Sequence, residues 1–121
     1  MKKTLLALAL AATGLPAAAQ AQDAEAGKAV FNVCKACHSV DEGAKGVGPN
    51  LKGVIGRKSG AVEGYAYSEP MKASGLTWDE STFTEYITNP KGKVPGNKMV
   101  FAGIKDEQKV KDLIAFLKAN P

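Results

Sequence analysis

Five consecutive residues, Cys34-Lys35-Ala36-Cys37-His38, contain both cysteines and the single histidine of the chain. The order Cys-x-x-Cys-His is typical of the site at which a c-type haem is attached. Two thiols three positions apart can reach both vinyl groups of one haem and form thioethers, and the adjacent imidazole can bind the iron. The stretch therefore predicts one covalent haem, held by Cys34 and Cys37, with His38 as the first iron ligand.

Two other kinds of site share part of this pattern, a dithiol redox pair and one half of a zinc site. Zinc takes about four nitrogen or sulfur ligands, and the sequence has no cysteine or histidine outside this stretch. A thioredoxin-like dithiol lies near a βαβ pattern, which this sequence lacks. The haem interpretation is therefore favoured, and the dithiol remains an alternative.

Residues 1–21 have the three parts of a cleaved secretory signal peptide. Two lysines follow Met1, residues 5–15 form a short apolar run, and Ala19-Gln20-Ala21 is an A-x-A cleavage site. The apolar run is shorter than the roughly 18 residues that span a bilayer. We therefore predict cleavage after Ala21, a mature chain without a membrane span, and export to the bacterial periplasm.

The predicted mature chain, residues 22–121, is long enough for one small domain. A domain of this size buries a modest share of its surface and benefits from a covalent staple, which a haem would supply. The net charge of +4 includes the two lysines of the signal, and the mature chain has 14 basic and 12 acidic residues. This near-balance, without a basic run containing aromatics, argues against a nucleic-acid partner.

The charges are nevertheless spread unevenly along the chain. Residues 60–89 contain one lysine and five acids, whereas residues 90–121 contain seven lysines and three acids. This asymmetry predicts a sizeable dipole in the folded molecule. The alternative is that these are ordinary solvated charges.

Three stretches predict helices. The first spans about residues 24–33, with Asp23 as its N-cap. The second opens with the capping-box pattern Thr77-Trp78-Asp79-Glu80 and is stopped by Pro90. The third spans about residues 107–119, because its apolar side chains recur at i, i+3, i+4 and i+7.

A shorter helix is predicted to open at Ser68-Glu69-Pro70. Glycine- and proline-rich loops cover about residues 43–64 and 89–103, and no segment alternates as a strand does. Loops this long need something to wrap in so small a domain. The predicted fold class is therefore a small all-α domain, with three main helices and long loops around one haem.

Gly27 lies inside the first predicted helix, where glycine costs about 1 kcal/mol relative to alanine. That cost is reasonable if another helix crosses there at close range. Leu113 and Phe116 of the third helix are candidates for the crossing. The alternative is a loosely formed helix start.

Because the sequence has no second histidine, the second iron ligand is a methionine, a lysine or a water molecule, or the position is open. Met71 follows a proline in an acidic loop, and Met99 lies in the segment 95–103, while Met1 leaves with the signal. On chemistry alone, Met99 has only a small advantage over Met71.

Several motifs, in this order, resemble the class I (mitochondrial-type) cytochromes c in their bacterial soluble form. The likeness covers nearly all of residues 25–119. The motifs are Cys34 to His38, Gly48-Pro49-Asn50-Leu51, Gly56-Arg57-Lys58-Ser59-Gly60, Thr77-Trp78, Asn89-Pro90-Lys91, and Pro95 to Lys105. The resemblance implies the small cytochrome c fold.

The resemblance also implies roles for the residues on both sides of the iron. Met99 is implied as the sulfur ligand that complements His38. Pro49 is implied to supply the backbone carbonyl that accepts the ring N–H of His38, which fixes the orientation and basicity of the imidazole.

Five aromatic and basic residues gain roles from the same resemblance. Arg57, Tyr67 and Trp78 match positions that hold or neutralise a buried haem propionate. Tyr86 matches the aromatic beside the methionine, and Phe101 matches the aromatic that covers the haem edge.

Three residues depart from the family pattern. Asn97 replaces a threonine on the propionate side, and Met71 stands where an asparagine often helps to order an internal water. Val33 replaces a lysine that belongs to the docking ring of mitochondrial relatives. These departures bear on the propionate network and on partner binding rather than on the iron ligands.

An iron with two ligands from the chain has no position open to substrate, which favours electron transfer, and a thioether ligand raises the potential. The resemblance implies a periplasmic carrier between a cytochrome bc-type complex or periplasmic dehydrogenase and a terminal oxidase or reductase. The sequence has no linker and no exposed apolar helix, which predicts a monomer. Its partners would present acidic docking surfaces to the exposed haem edge, near Val33, Lys35, Lys45, Lys91, Lys98 and Lys105. The alternatives are a peroxidase-like haem enzyme with a labile methionine ligand and a non-haem dithiol oxidoreductase.

Overall fold

The computed structural model describes residues 22–121, and the predicted signal peptide, residues 1–21, lies outside the described residues. The helices in this part are α1 (Ala24–Phe31), α2 (Glu69–Ala73), α3 (Glu80–Thr88), α4 (Pro90–Lys93) and α5 (Glu107–Lys118). Residues 22–121 form no strand, and their β pairing is an isolated antiparallel bridge between Lys58 and Thr77. The prediction of a small all-α domain with long loops is confirmed.

Each of the three longer helices follows an aspartate. Asp23, Asp79 and Asp106 are the N-caps of α1, α3 and α5, and each side chain accepts hydrogen bonds from backbone N–H groups of the first turn. Such caps satisfy donors that a helix start otherwise leaves without partners. The predicted N-cap Asp23 is confirmed, and so is the short helix α2, which follows Ser68.

The predicted start of α3 is wrong by a few residues. The capping-box pattern places the cap at Thr77, but the backbone of Thr77 is engaged in the bridge to Lys58. The helix instead begins at Glu80, and Asp79 accepts the N–H of Thr82 at 2.7 Å.

One helix end differs from the prediction, that of α1, whereas α3 ends before Pro90 as predicted. α1 ends at Phe31, short of the predicted Val33. α3 ends at Thr88, and Pro90 then begins α4. Proline fits a first helical position, because no intrahelical partner exists there for the N–H that it lacks.

α1 crosses α5 at Gly27. A Cβ added to Gly27 would lie 1.8 Å from the carbonyl oxygen of Asp112 and 2.8 Å from Cβ of Phe116. The Phe116 ring packs on Phe31 with the ring centroids 5.1 Å apart. The predicted close helix crossing is therefore confirmed, with the backbone of Asp112 as its tightest contact.

Backbone hydrogen bonds close the loops over the core. Gly53 donates to the carbonyl of Asn120 at 2.9 Å, Gly56 to that of Trp78 at 2.7 Å, and Ile104 to that of Ile87 at 2.8 Å. No helix within residues 22–121 is long and apolar enough to cross a membrane. The loops, fixed at these points, enclose a cavity between α3, α5 and the turn that follows α1.

Candidate haem-binding site

A cavity of about 250 Å³ lies between the helices and the loops, and its wall is mostly apolar. Its lining residues come from separate parts of the chain, from Phe31 in α1 to Leu117 in α5. The ten residues predicted for the site all lie on this wall: Cys34, Cys37, His38, Pro49, Arg57, Tyr67, Trp78, Tyr86, Met99 and Phe101. The fold thus brings together side chains that are far apart in sequence.

The two cysteines lie in turns that continue from α1. Cys34 donates its backbone N–H to the carbonyl of Phe31 at 2.8 Å, and His38 donates to that of Cys34 at 2.9 Å. Both thiols are half-buried and neither forms a disulfide. Burial, and to a lesser extent the neighbouring Cys37, raises the pKa of the Cys34 thiol to about 11. A thiol held in this form is a poor nucleophile at neutral pH, which argues against the dithiol alternative.

The ring of His38 is held by its Nδ1, which lies 2.7 Å from the carbonyl oxygen of Pro49. A carbonyl can only accept a hydrogen bond, so Nδ1 carries the proton and Nε2 keeps a free lone pair in the neutral ring. Burial lowers the pKa of His38 below its usual value. The hydrogen bond to Pro49 acts in the opposite direction, and the nearby charge of Arg57 lowers the pKa further. His38 is therefore a neutral imidazole with Nε2 available to a metal.

Gly48 makes room for this imidazole. A Cβ on Gly48 would lie 2.4 Å from Cε1 of His38, which is closer than any real contact. A glycine before Pro49 therefore allows the loop to approach the ring closely enough for the hydrogen bond.

Met99 is positioned by an asparagine. The Oδ1 of Asn97 accepts the backbone N–H of Met99 at 2.8 Å, while its Nδ2 donates to the carbonyls of Val94 at 2.8 Å and Pro90 at 3.1 Å. The Met99 sulfur receives a hydrogen bond from the hydroxyl of Tyr86 at 3.9 Å. The family departure Asn97 thus anchors the methionine segment to α4 and to the residue that follows it.

An aromatic group forms the wall beside Met99. Trp78 and Tyr86 are 7% and 8% exposed, and their ring centroids lie 4.8 Å apart. Burial, with a smaller contribution from Tyr65, raises the pKa of Tyr86 to about 12. Tyr86 is therefore a neutral hydrogen-bond donor at any physiological pH.

Arg57 and Tyr67 use part of their hydrogen-bonding capacity on the backbone. Arg57 donates from Nη2 to the carbonyl of Asn50 at 2.9 Å and from Nη1 to that of Lys52 at 3.2 Å. The hydroxyl of Tyr67 accepts the N–H of Val62 at 3.0 Å. Both side chains still line the cavity, and the remaining donors of each are available to an anionic group there.

Several lining residues were not among the predicted site residues. Tyr65 packs edge-on against Tyr67 with ring centroids 4.7 Å apart, and Met71, in α2, is buried in the same wall. The spacing of the two tyrosines was a usable signal, because residues two apart in an extended segment face the same side. Leu113 was proposed only as a helix-crossing residue, yet it also lines the cavity.

The donor set in this cavity fits a c-type haem. The cavity wall holds two unpaired thiols, a neutral imidazole with a free Nε2 and a thioether sulfur. Most of the remaining wall is apolar, as a porphyrin requires, with Arg57 and Tyr67 available for its carboxylates.

Comparisons with known proteins agree with this geometry. The family model described as cytochrome c matches residues 24–121. Cytochrome c2 of Blastochloris viridis is 57% identical over 120 residues, covering 98% of this chain and 93% of that protein. Cytochrome c-550 of Nitrobacter winogradskyi is 62% identical over 96 residues, covering 78% of this chain and 88% of that protein. Among solved structures, cytochrome cH from Methylobacterium extorquens has a TM-score of 0.76 at 53% identity, covering 80% of this chain and 98% of that one.

The region matched by the family model contains the Cys-x-x-Cys-His stretch and every predicted site residue. The match assigns one covalent c-type haem to that stretch, and no finding supports the peroxidase-like alternative. The chain therefore belongs to the cytochrome c family and is an electron carrier with one covalent c-type haem.

Proposed function

We propose that this chain is a periplasmic carrier of single electrons, in which His38 and Met99 would hold the haem iron. It accepts electrons from a cytochrome bc-type complex or a periplasmic dehydrogenase and passes them to a terminal oxidase or reductase. The observation that carries this proposal is that the wall of one cavity holds both cysteines, the imidazole and the Met99 thioether.

Cys34 and Cys37 attach the cofactor. Each thiol would form one thioether with a vinyl group of the haem. These two bonds would join the cofactor to the turn after α1, where the hydrogen bonds of Cys34 and His38 already order the backbone.

His38 supplies the nitrogen ligand through Nε2. The Pro49 carbonyl fixes the ring orientation and makes the imidazole a stronger donor, as outer partners of metal-bound histidines do. Gly48 keeps the loop close enough for that bond at 2.7 Å.

Met99 rather than Met71 is the proposed sulfur ligand. Both line the cavity, but Met71 is fixed within α2 as part of the hydrophobic core. Met99 lies in a loop positioned by Asn97, and a phenol donates to its sulfur. The family resemblance supports the same choice.

When bound, the haem supplies a one-electron ferric–ferrous couple. With both His38 and Met99 holding the iron, no position would be open to substrate, which suits a carrier. Trp78 at 7%, Tyr86 at 8% and Leu113 at 1% exposure make this part of the wall poorly solvated. Because excess positive charge is costly in such surroundings and thioether ligation favours ferrous iron, we expect a positive reduction potential.

Partner proteins meet the chain through the lysines of its carboxyl-terminal part. Lys91, Lys98 and Lys105 are exposed, and Lys98 lines the cavity while its Nζ donates to the carbonyl of Ala66 at 2.7 Å. A positive face of this kind steers association with acidic docking surfaces. We therefore expect oxidation by a membrane oxidase to slow as ionic strength rises from low values.

The ligand assignment is tested with Met99→Ala and the matched variant Met71→Ala. The ferric wild-type holoprotein should show the methionine–iron charge-transfer band, and Met71→Ala should keep it. Met99→Ala should lose the band, show a lower potential and bind cyanide. A closed iron with an unchanged band and potential in Met99→Ala would rule out this ligand.

The proposed location is tested by isolating the holoprotein from the periplasmic fraction of the producing cells. Its amino-terminal sequence should begin at Gln22, as the predicted cleavage after Ala21 requires. Holoprotein confined to the cytoplasm, or retaining residues 1–21, would contradict the proposed export.

A further inference from the structure

One peptide group connects the end of α5 to the arginine of the haem cavity. The carbonyl oxygen of Lys52 accepts a hydrogen bond from Nη1 of Arg57 at 3.2 Å. The N–H of the same peptide group, which belongs to Gly53, donates to the carbonyl of Asn120 at 2.9 Å. A trans peptide group is planar, and its C=O and N–H point in opposite directions. The two hydrogen bonds therefore depend on a single orientation of the 52–53 peptide group.

The orientation of this peptide group is set by the type of turn in which it lies. Val54 donates its N–H to the carbonyl of Leu51 at 3.1 Å, which closes a β-turn with Lys52 and Gly53 as its central residues. The φ of Gly53 is 71°, whereas that of Lys52 is not positive, as in a type II turn. In a type I turn the peptide group between the central residues points the opposite way. The type II form therefore aims the carbonyl at Arg57, and glycine is the residue that adopts it without strain.

We infer that Gly53 and Asn120 are positioning residues for Arg57, and that they hold its guanidinium at the cavity wall through the 52–53 peptide group. The inference rests on the proposed function, in which Arg57 holds a haem carboxylate, and it adds the residues that keep the arginine there. Arg57 lines the cavity, whereas Gly53 and Asn120 do not. Both therefore act on the haem through the arginine.

Other backbone hydrogen bonds fix the two ends of this loop rather than its tip. Leu51 donates to the carbonyl of Ser39 at 2.8 Å, and Gly56 donates to that of Trp78 at 2.7 Å. Neither bond determines which way the 52–53 peptide group points. That orientation depends on the bond to the end of α5.

Asn120 is itself held at the end of α5. Its Nδ2 donates to the carbonyl of Phe116 at 2.8 Å, and its backbone N–H donates to that of Leu117 at 3.1 Å. These bonds satisfy carbonyls that the last turn of a helix otherwise leaves without partners. The position of the Asn120 carbonyl is therefore set by the helix, and the helix in turn orients the peptide group that holds Arg57.

Arg57 acts on the reduction potential through its charge. A cation near the haem disfavours ferric iron, which carries one more positive charge than ferrous iron. The side chain is half-buried, so solvent ions screen its charge less than they screen an exposed one. If the 52–53 peptide group turned away, the guanidinium would lose a backbone acceptor and move towards water. The potential should then fall.

The experiment applies a double-mutant cycle to the holoprotein. Gly53→Ala disfavours the positive φ, and the added Cβ has room, since it would lie 3.6 Å from the carbonyl carbon of Pro121. Arg57→Gln removes the charge, and a third variant combines both changes. Gly75→Ala is the matched control, because Gly75 has a φ of 63°, has open space around it and does not line the cavity.

Asn120→Ala approaches the same peptide group from the other side. It removes the side-chain bond to Phe116, so the Asn120 carbonyl is held less firmly. It should shift each measured quantity in the same direction as Gly53→Ala. If Gly53→Ala does not fold, Asn120→Ala takes its place in the cycle with Arg57→Gln.

Two quantities are measured, the reduction potential and the exchange rate of the residue 53 amide proton, by NMR of the ferrous holoprotein. Arg57→Gln should lower the potential, and Gly53→Ala should lower it by a smaller amount. In the combined variant, the change at residue 53 should have no further effect. The amide proton should exchange about fivefold faster in Gly53→Ala, as expected for the loss of one hydrogen bond. Gly75→Ala should keep the potential and the exchange rate of the wild type.

Three results would overturn the inference. One is a Gly53→Ala holoprotein with the potential of the wild type. Another is a Gly53→Ala shift of equal size with and without Arg57, since the effect would then not pass through the arginine. The third is an unchanged potential in Arg57→Gln. A wild-type holoprotein without a reversible one-electron couple would instead contradict the proposed function, and the inference with it.

Discussion

The hydroxyl of Tyr86 donates a hydrogen bond to the sulfur of Met99 across 3.9 Å. A donor at this position withdraws electron density from a sulfur lone pair. If Met99 binds the iron as proposed, Tyr86 therefore weakens electron donation from the Met99 sulfur to ferric iron. Tyr86 would thus raise the reduction potential indirectly, through Met99. Its own ring is held in place by Trp78.

Tyr86→Phe should lower the reduction potential. Without the phenol donor, the sulfur stabilises ferric iron better, and the loss of a hydrogen bond of about 0.5–1.5 kcal/mol corresponds to roughly 20–60 mV. Spectroelectrochemical titration of the holoprotein measures the shift. Tyr65→Phe removes a hydroxyl from the same cavity wall and should change the potential less. Equal shifts in both variants would contradict a specific action through Met99.

Tyr86 should also make stability fall at alkaline pH. Its pKa is raised in the fold to about 12 from 10.0, chiefly by burial, so the unfolded chain releases this proton at lower pH than the folded one. The stability from this group is complete below the unfolded pKa and is lost as pH rises through the folded pKa. Denaturant unfolding of wild type and Tyr86→Phe from pH 9 to 12 isolates this effect, since the variant lacks the phenol. A constant difference between the two across that range would contradict it.

Gly48→Ala should loosen His38. The added Cβ would lie 2.4 Å from Cε1 of the ring, so the ring or the loop must move and the bond to Pro49 must weaken. Exchange of the Nδ1 proton, followed by NMR of the ferrous holoprotein, should be about tenfold faster, as expected for the loss of a hydrogen bond of that strength. A less basic imidazole also stabilises ferric iron less, so the potential should rise. Lys45→Ala, an exposed change in the same loop, should alter neither quantity.

Gly27→Ala should destabilise the domain although alanine is the better helix former. Overpacking at the crossing, where the added Cβ would lie 1.8 Å from the Asp112 carbonyl oxygen, should cost about 2–3 kcal/mol in the free energy of unfolding. Guanidinium unfolding of the holoprotein measures the change. Lys28→Ala, on an exposed position of the same helix, should stay within about 0.5 kcal/mol of the wild type. A Gly27→Ala protein of unchanged or raised stability would show that the helices can separate at no cost.

Local patterns predicted the features that depend on neighbouring residues. The spacing of Cys34 and Cys37, the Asp23 cap and the apolar face of α5 each rest on residues a few positions apart. α4 was missed because Pro90 was interpreted only as a stop signal, whereas Asn89 caps the next turn by accepting the N–H of Gly92 at 3.1 Å. A proline after a helix can mark the end of that helix alone or can also begin the next helix, and its tertiary surroundings decide which.

The site depends on the path of the loops, which periodicity does not describe. Residues alone left Met71 and Met99 nearly equal, and the family resemblance chose between them. The backbone partners of Arg57, at Asn50 and Lys52, could not be predicted, because they require the loop to fold back on itself.

Glu80, at the start of α3, accepts from the side chain of Gln22 at 2.9 Å and from Lys118 at 3.5 Å. The carboxylate of Glu80 thus contacts Gln22, at the start of the domain, and Lys118, in the last turn of α5. The two ends of the domain are therefore neighbours. A short linker can join such ends, and new termini can be opened at the exposed Glu63-Gly64. In a circularly permuted cytochrome of this kind, the new termini would lie in a loop. An enzyme could be fused there, or an electrode attached there, instead of beside the α1–α5 crossing.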